Sequence, residues 1–102
     1  MEIRYKNSKL KKVCTDANVA KKTYGLEMAI KIAMRIEEIS LSESVEEMIK
    51  FRLGRCHELK GSRKKQYAVD LVHPYRMVFE KSYEMIDTQK REVLIIEIVD
   101  YH

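Results

Sequence analysis

Two of the three histidines in this 102-residue chain stand in settings suited to proton transfer. His57 lies in the segment Arg55-Cys56-His57-Glu58-Leu59-Lys60-Gly61-Ser62-Arg63-Lys64-Lys65-Gln66-Tyr67, and His102 follows Val99-Asp100-Tyr101. Imidazole is the side chain that ordinarily titrates nearest neutrality, and a neighbouring carboxylate favours its charged form. A pair of such groups can take a proton from a ribose 2′-hydroxyl and deliver one to a leaving 5′-oxygen. Lys60, Arg63 and Arg76 would then offset the charge that builds on the phosphorane oxygens. Spacing alone does not bring these groups together. His73 precedes Pro74 and is expected to serve a turn. A metal site built from Cys56, His57, Asp100 and His102 fits no standard ligand spacing, so none is expected.

The charge around His57 points the same way. The formal net charge is only +4, but residues 50–65 hold Lys50, Arg52, Arg55, Lys60, Arg63, Lys64 and Lys65 against Glu58 alone. Residues 36–48 carry Glu37, Glu38, Glu43, Glu46 and Glu47 and no base. A basic stretch beside a strand can grip a nucleic-acid backbone without reading its sequence. The same charges would also suit a solvated surface loop, just as Asp100-Tyr101-His102 would suit a frayed tail.

Composition narrows the class. A chain 45% hydrophobic and 35% charged, with three Gly and one Pro, is too apolar for disorder and too poor in turn formers for a loop-built fold. One domain spanning residues 1–102 is expected. There is no apolar run long enough to span a bilayer, and Met1-Glu2-Ile3-Arg4-Tyr5-Lys6 lacks the core of a secretory signal, so the expected setting is cytoplasmic with no membrane partner. Cys14 and Cys56, far apart in sequence, are expected to be reduced and packed as small hydrophobes.

The elements that must position these residues follow from periodicity. Glu2–Tyr5 alternates as a short edge strand. Ser8 is placed to cap a helix reaching Cys14, and Thr15 or Asp16 a longer one in which Leu26, Ala29, Ile32, Ala33, Ile36 and Ile39 recur at three and four. Gly25 inside that helix marks close packing or a break. Ser42–Met48 reads as a short acidic helix opened by a serine cap. Tyr67–Val72 and Arg76–Glu80 alternate as a hairpin with Pro74 in its turn, Tyr83–Arg91 is a polar connection, and Val93–Val99 is expected to be a central strand covered on both faces. Helices first and strands last predict an α+β fold, with two N-terminal helices on one face of a small, mainly antiparallel sheet. The other face is left for a ligand.

The segment from Arg55 to Gly61 with its basic loop, the strand Tyr75-Arg76-Met77-Val78-Phe79 and the terminal Asp100-Tyr101-His102 together resemble the RelE/ParE superfamily of toxins from type II toxin–antitoxin pairs. Within it the pattern is most similar to the HigB-like branch, the plasmid maintenance killer proteins. The likeness runs along essentially the whole chain. Tyr75 stands before Arg76 where that branch usually has Trp, and Tyr67 is the aromatic further upstream.

The resemblance implies a ribosome-dependent mRNA endonuclease, metal-independent and without cofactor, that leaves 2′,3′-cyclic phosphate and 5′-hydroxyl ends. It implies that His57 and His102 transfer protons, that Lys60 and Arg76 hold the scissile phosphate, that Asp100 orients a neighbour, and that Tyr101 stacks on or positions a base. Arg55, Arg63, Lys64, Lys65 and Tyr67 would contact RNA. The implied partners are the ribosome and mRNA and a cognate helix-turn-helix antitoxin through which operator DNA is bound; the chain alone would be monomeric. Two other readings share the fold class, a ParE-like inhibitor of DNA gyrase and an inactive relic that binds only RNA or antitoxin.

Overall fold

The computed structural model describes residues 1–63, 65–82 and 91–100. Tyr101, His102 and Lys64, and residues 83–90 of the expected connection, lie outside the described residues. The order is β1 (Glu2–Tyr5), α1 (Ser8–Thr15), α2 (Ala17–Tyr24), α3 (Leu26–Leu41), α4 (Val45–Lys50), β2 (His57–Glu58), β3 (Gln66–Asp70), β4 (Tyr75–Lys81) and β5 (Glu92–Asp100). Short 3-10 turns occupy Leu53–Arg55 and Gly61–Arg63.

The helix ends show how local chemistry places these boundaries. Asn7, rather than Ser8, caps α1: its Oδ1 accepts the Leu10 N–H at 2.8 Å. Asp16 caps α2 by accepting the N–H groups of Asn18 and Val19. The long second helix expected from the sequence is two, because Gly25 adopts φ 92 and ends α2 before α3 begins. A residue with a Cβ rarely takes that conformation, so the break is written in the glycine. Ser44 caps α4, its Oγ accepting the Glu47 N–H at 3.0 Å. The end of α3 is satisfied from far away in sequence: the Met1 ammonium donates to the carbonyls of Ser40 at 2.8 Å and Ser42 at 2.7 Å. A positive charge there complements the helix dipole.

The sheet order is β1-β5-β4-β3-β2. β1 runs parallel to β5, pairing Glu2 with Glu92 and Tyr5 with Ile95, and the other pairs are antiparallel. The architecture is therefore the expected α+β one, with a mostly antiparallel sheet. β4, not β5, is the middle strand. Of β5, only Val93 and Ile95 are fully buried, both towards the helices, while Leu94, Ile96, Glu97 and Val99 are half-buried. The expectation of a last strand covered on both faces is corrected: the helices lie on one side only. β2 was not foreseen, because a two-residue strand is too short to show alternation.

One apolar layer joins helices to sheet. Met28, Ile32 and Ile39 of α3 and Val45 and Met48 of α4 meet Val69, Met77, Phe79, Val93 and Ile95. Burying side chains of this size contributes about 1.5–3 kcal/mol each. The opposite face carries a smaller cluster, in which Leu59 covers Ala68 and Val78 beside Ile96 and Val99.

Candidate functional site

Cross-strand register sorts the open face into rows. Residues directly opposite one another share a face of the sheet. His57, Ala68, Val78 and Glu97 form one row, and Asp70, Arg76 and Val99 the next. His57 and Arg76 therefore project from the same face, their backbones roughly 12 Å apart by strand spacing and rise. Asp100 pairs with Tyr75 on the helix-side row, three strands from β2 and roughly 17 Å from His57 by the same spacings. The described part of the last strand thus does not bring Asp100 to His57.

What the structure does bring together is Arg55, Asp70 and Arg76. Asp70 Oδ2 is 3.1 Å from Arg55 Nε, and its Oδ1 is 3.5 Å from Arg76 Nε. These residues line a cleft of about 330 Å³ with Leu71, His73, Pro74 and Tyr75, at the end of the β3–β4 hairpin. The His73–Pro74 peptide is cis. Arg55 reaches Asp70 from an unusual backbone: Arg52, Gly54 and Arg55 all have φ between 54 and 59. For residues with a Cβ that conformation costs roughly 1–2 kcal/mol each.

A buttress behind the cleft fixes this turn. The Arg35 Nε of α3 donates to the Asp70 carbonyl at 2.6 Å, and its Nη1 lies 2.7 Å from Glu38 Oε1. A Cβ on Gly54 would sit 2.8 Å from that Nε and 3.1 Å from Val69 Cβ, so only glycine fits there. Arg35 thereby holds the end of β3 and packs against the Gly54 turn that carries Arg55.

His57 is half-buried, and its Nδ1 is 2.8 Å from the Arg55 carbonyl oxygen. A carbonyl can only accept, so Nδ1 carries the hydrogen in this bond, and the tautomer it selects leaves Nε2 as the ring's acceptor. The same loop therefore sets both the Arg55 guanidinium and the tautomer of His57.

The expected RNA-contacting residues divide. Lys60 and Lys65 are exposed. Arg63 is held: it pairs with Glu97, and its Nε donates to Gln66 Oε1 at 2.9 Å. The Lys65 N–H donates to Glu58 Oε2 at 3.2 Å, so the basic segment is tied to the sheet at the C-terminal end of its 3-10 turn and just after it. Tyr67 corrects the sequence reading. It lies on the helix-covered face, 7% exposed, with its ring stacked 5.9 Å from that of Phe79 and Lys81 Nζ 5.4 Å from its centroid, so it offers no face to a base. The reason is parity: Tyr67 shares its side of β3 with Val69.

Sequence reasoning missed Asp70 and His73 as members of the cleft. The signal for Asp70 was present, since a carboxylate and Arg76 placed symmetrically about a Pro74 turn become ladder partners. His73 is exposed at the cleft mouth, beyond the turn role assigned to it. Cys14 and Cys56 are buried free thiols, and burial pushes both up to about 12. No group of His, Cys, Asp and Glu among the described residues is arranged to hold a metal ion. No described helix is long and apolar enough to cross a membrane.

No family model matches the sequence, and no curated protein matches it. Among solved structures, a YoeB/ParE toxin from Agrobacterium tumefaciens superposes over 100% of both chains with a TM-score of 0.57 at 13% identity. The helices, the mostly antiparallel five-stranded sheet and its one uncovered face thus compose the same α+β fold as that toxin.

Proposed function

We propose that this chain is the toxin of a type II toxin–antitoxin pair, of the HigB-like kind, and acts as a ribosome-dependent mRNA endonuclease that a helix-turn-helix antitoxin neutralises. The observation that carries this reading is the convergence of Arg55 and Arg76 on a single carboxylate in a cleft next to His57. Two guanidiniums aimed at one anionic position form a clamp that a phosphate can enter by displacing Asp70. The likeness of fold to a YoeB/ParE toxin supports the toxin reading.

In this mechanism His57 Nε2 accepts the 2′-hydroxyl proton while the Arg55 carbonyl holds Nδ1–H. The 2′-oxygen attacks phosphorus, the bond to the 5′-oxygen breaks, and a cyclic phosphate and a 5′-hydroxyl result. Arg76 and Lys60 oppose the charge developing on the phosphorane. His102 supplies the proton to the leaving oxygen, with Asp100 and Tyr101 positioning tail and base. Arg55 shares the clamped phosphate with Arg76, and Lys65 and Lys64 hold flanking phosphates; Arg63 contributes only if it leaves Glu97.

The test is expression of the wild type, Arg76→Ala and His102→Ala in a translating extract, with transcript ends mapped. Cleavage by the wild type alone, leaving cyclic phosphate ends, is expected. Intact mRNA together with gyrase trapped on cleaved DNA would replace the nuclease by the gyrase inhibitor. Neither effect would leave the relic.

A further inference from the structure

The edge of β5 opposite β4 is only partly occupied. β1 pairs with β5 from Glu92 to Ile95, and the last main-chain bond between them runs from the Lys6 N–H to the Ile95 carbonyl at 3.0 Å. β5 continues to Asp100, and no strand among the described residues lies beside Ile96–Val99 on that side. Such an edge presents main-chain donors and acceptors in register for another strand.

Beside this edge is a cleft of about 230 Å³ between β5 and the hairpin of α1 and α2. Leu10, Val13, Tyr24 and Ile98 supply its apolar lining, and Lys9 stands at its rim. The hairpin and the turn leading into it are strongly basic: Lys6, Lys9, Lys11, Lys12, Lys21 and Lys22 are all exposed, and none has an acid within ion-pair distance among the described residues. Asp16, the one acid of that stretch, is engaged in capping α2. Glu97 also lines the cleft, but its carboxylate is paired with Arg63.

We infer that the open edge of β5 at Ile96–Val99, with its flanking cleft, takes up an extended acidic segment of a partner protein as an added strand next to β5. Main-chain bonds would supply affinity, and alternate side chains entering the cleft would supply selectivity. Charge decides the occupant. A second copy docked edge to edge would bring two lysine-rich hairpins together, whereas an acidic peptide would meet them with opposite charge. A nucleic acid would satisfy the lysines, but its phosphates offer acceptors only and would leave the carbonyls of the edge unmatched. The two clefts share no lining residue, and although Val99 stands opposite Arg76 on β5, the inference rests on the free edge and its charge and not on RNA cleavage.

The probe is a synthetic peptide of alternating valine and glutamate added to the isotope-labelled full chain, read by amide shifts and hydrogen exchange. Slowed exchange at Ile96–Val99 is expected, and it should vanish when the peptide is N-methylated at alternate residues, which keeps its side chains and removes its donors. Lys9→Glu, an exposed substitution, should weaken the peptide about fivefold. The inference is overturned if those amides are unaffected, if the N-methylated or a valine–lysine peptide protects them equally, if single-stranded RNA protects them instead, or if their protection depends on protein concentration without peptide.

Discussion

Arg76 lies directly across the β3–β4 ladder from Asp70, its Nε 3.5 Å from the carboxylate, and the same carboxylate holds Arg55 from the other side at 3.1 Å. Under the proposed function, Asp70 is the acid that an incoming phosphate replaces. Asp70→Asn is expected to raise the affinity of the cleft for inorganic phosphate several-fold, since the competing charge is gone. Its cost in stability should be small, about 0.5–1 kcal/mol, because Arg55 is largely exposed and such pairs are screened. Phosphate titration followed by amide shifts at Arg55 and Arg76, beside urea unfolding of the same variant, measures both.

Arg76→Ala should leave the fold intact and reduce transcript cleavage about a hundredfold or more, as loss of a transition-state charge partner does. Arg76→Lys should restore only part of the activity, because an ammonium lacks the planar fork. The comparison is made on transcripts in a translating extract.

His57 and His73 separate the strand histidine from the cleft histidine. His57→Ala is expected to lower cleavage about a hundredfold or more, in the range typical of general base loss. His73→Ala should change apparent substrate affinity without a comparable loss of maximal rate, as fits an exposed residue at the cleft mouth. An equal fall in maximal rate for both would move the base from β2 to the turn.

Gly54→Ala should destabilise the protein by about 2–4 kcal/mol, combining a left-handed backbone with a Cβ pressed against Arg35 and Val69. Gly61→Ala is the control. It has φ 72 but open space around it, so its cost should be only about 1 kcal/mol. Urea midpoints of the two variants give the contrast.

Alkaline pH should weaken the fold. Below the ordinary thiol value of 9.0 folded and unfolded chains both keep the protons of Cys14 and Cys56, and the stability of the buried thiols is fully present. Between 9.0 and about 12 the unfolded chain releases protons that the folded chain retains, so stability falls as pH rises. Tyr5 and Tyr24, raised chiefly by burial, act in the same direction. Unfolding at about pH 10.5 should need less urea than at about pH 8, by about 1–3 kcal/mol in stability. Neither thiol should react with a disulfide reagent until the chain unfolds.

The fold was legible wherever burial is one-sided and the pattern long. The apolar spacing from Leu26 to Ile39, the hairpin about Pro74 and the last strand all fall where periodicity places them. The errors have local causes. Gly25 could equally have been a packed helix residue, and only its positive φ settles that it is a break. Tyr67 reads as an exposed aromatic beside lysines until the register puts it on the side of Val69. The basic segment looked like a loose loop because nothing in its own residues reveals Glu97 as the partner of Arg63. Of the cleft, Arg76 and Arg55 were visible as cations near a histidine, while their joining through Asp70 depends on ladder pairing and a left-handed turn that composition does not express.

Pairing Glu2 with Glu92 ties the first strand of the chain to the last. During synthesis β1 must wait, unpaired, while the helices and the hairpin are already available to form, and the sheet closes around β5 only at the end. Such long-range pairing is slow to form. The open face of the sheet is therefore completed only after β5 has been synthesised.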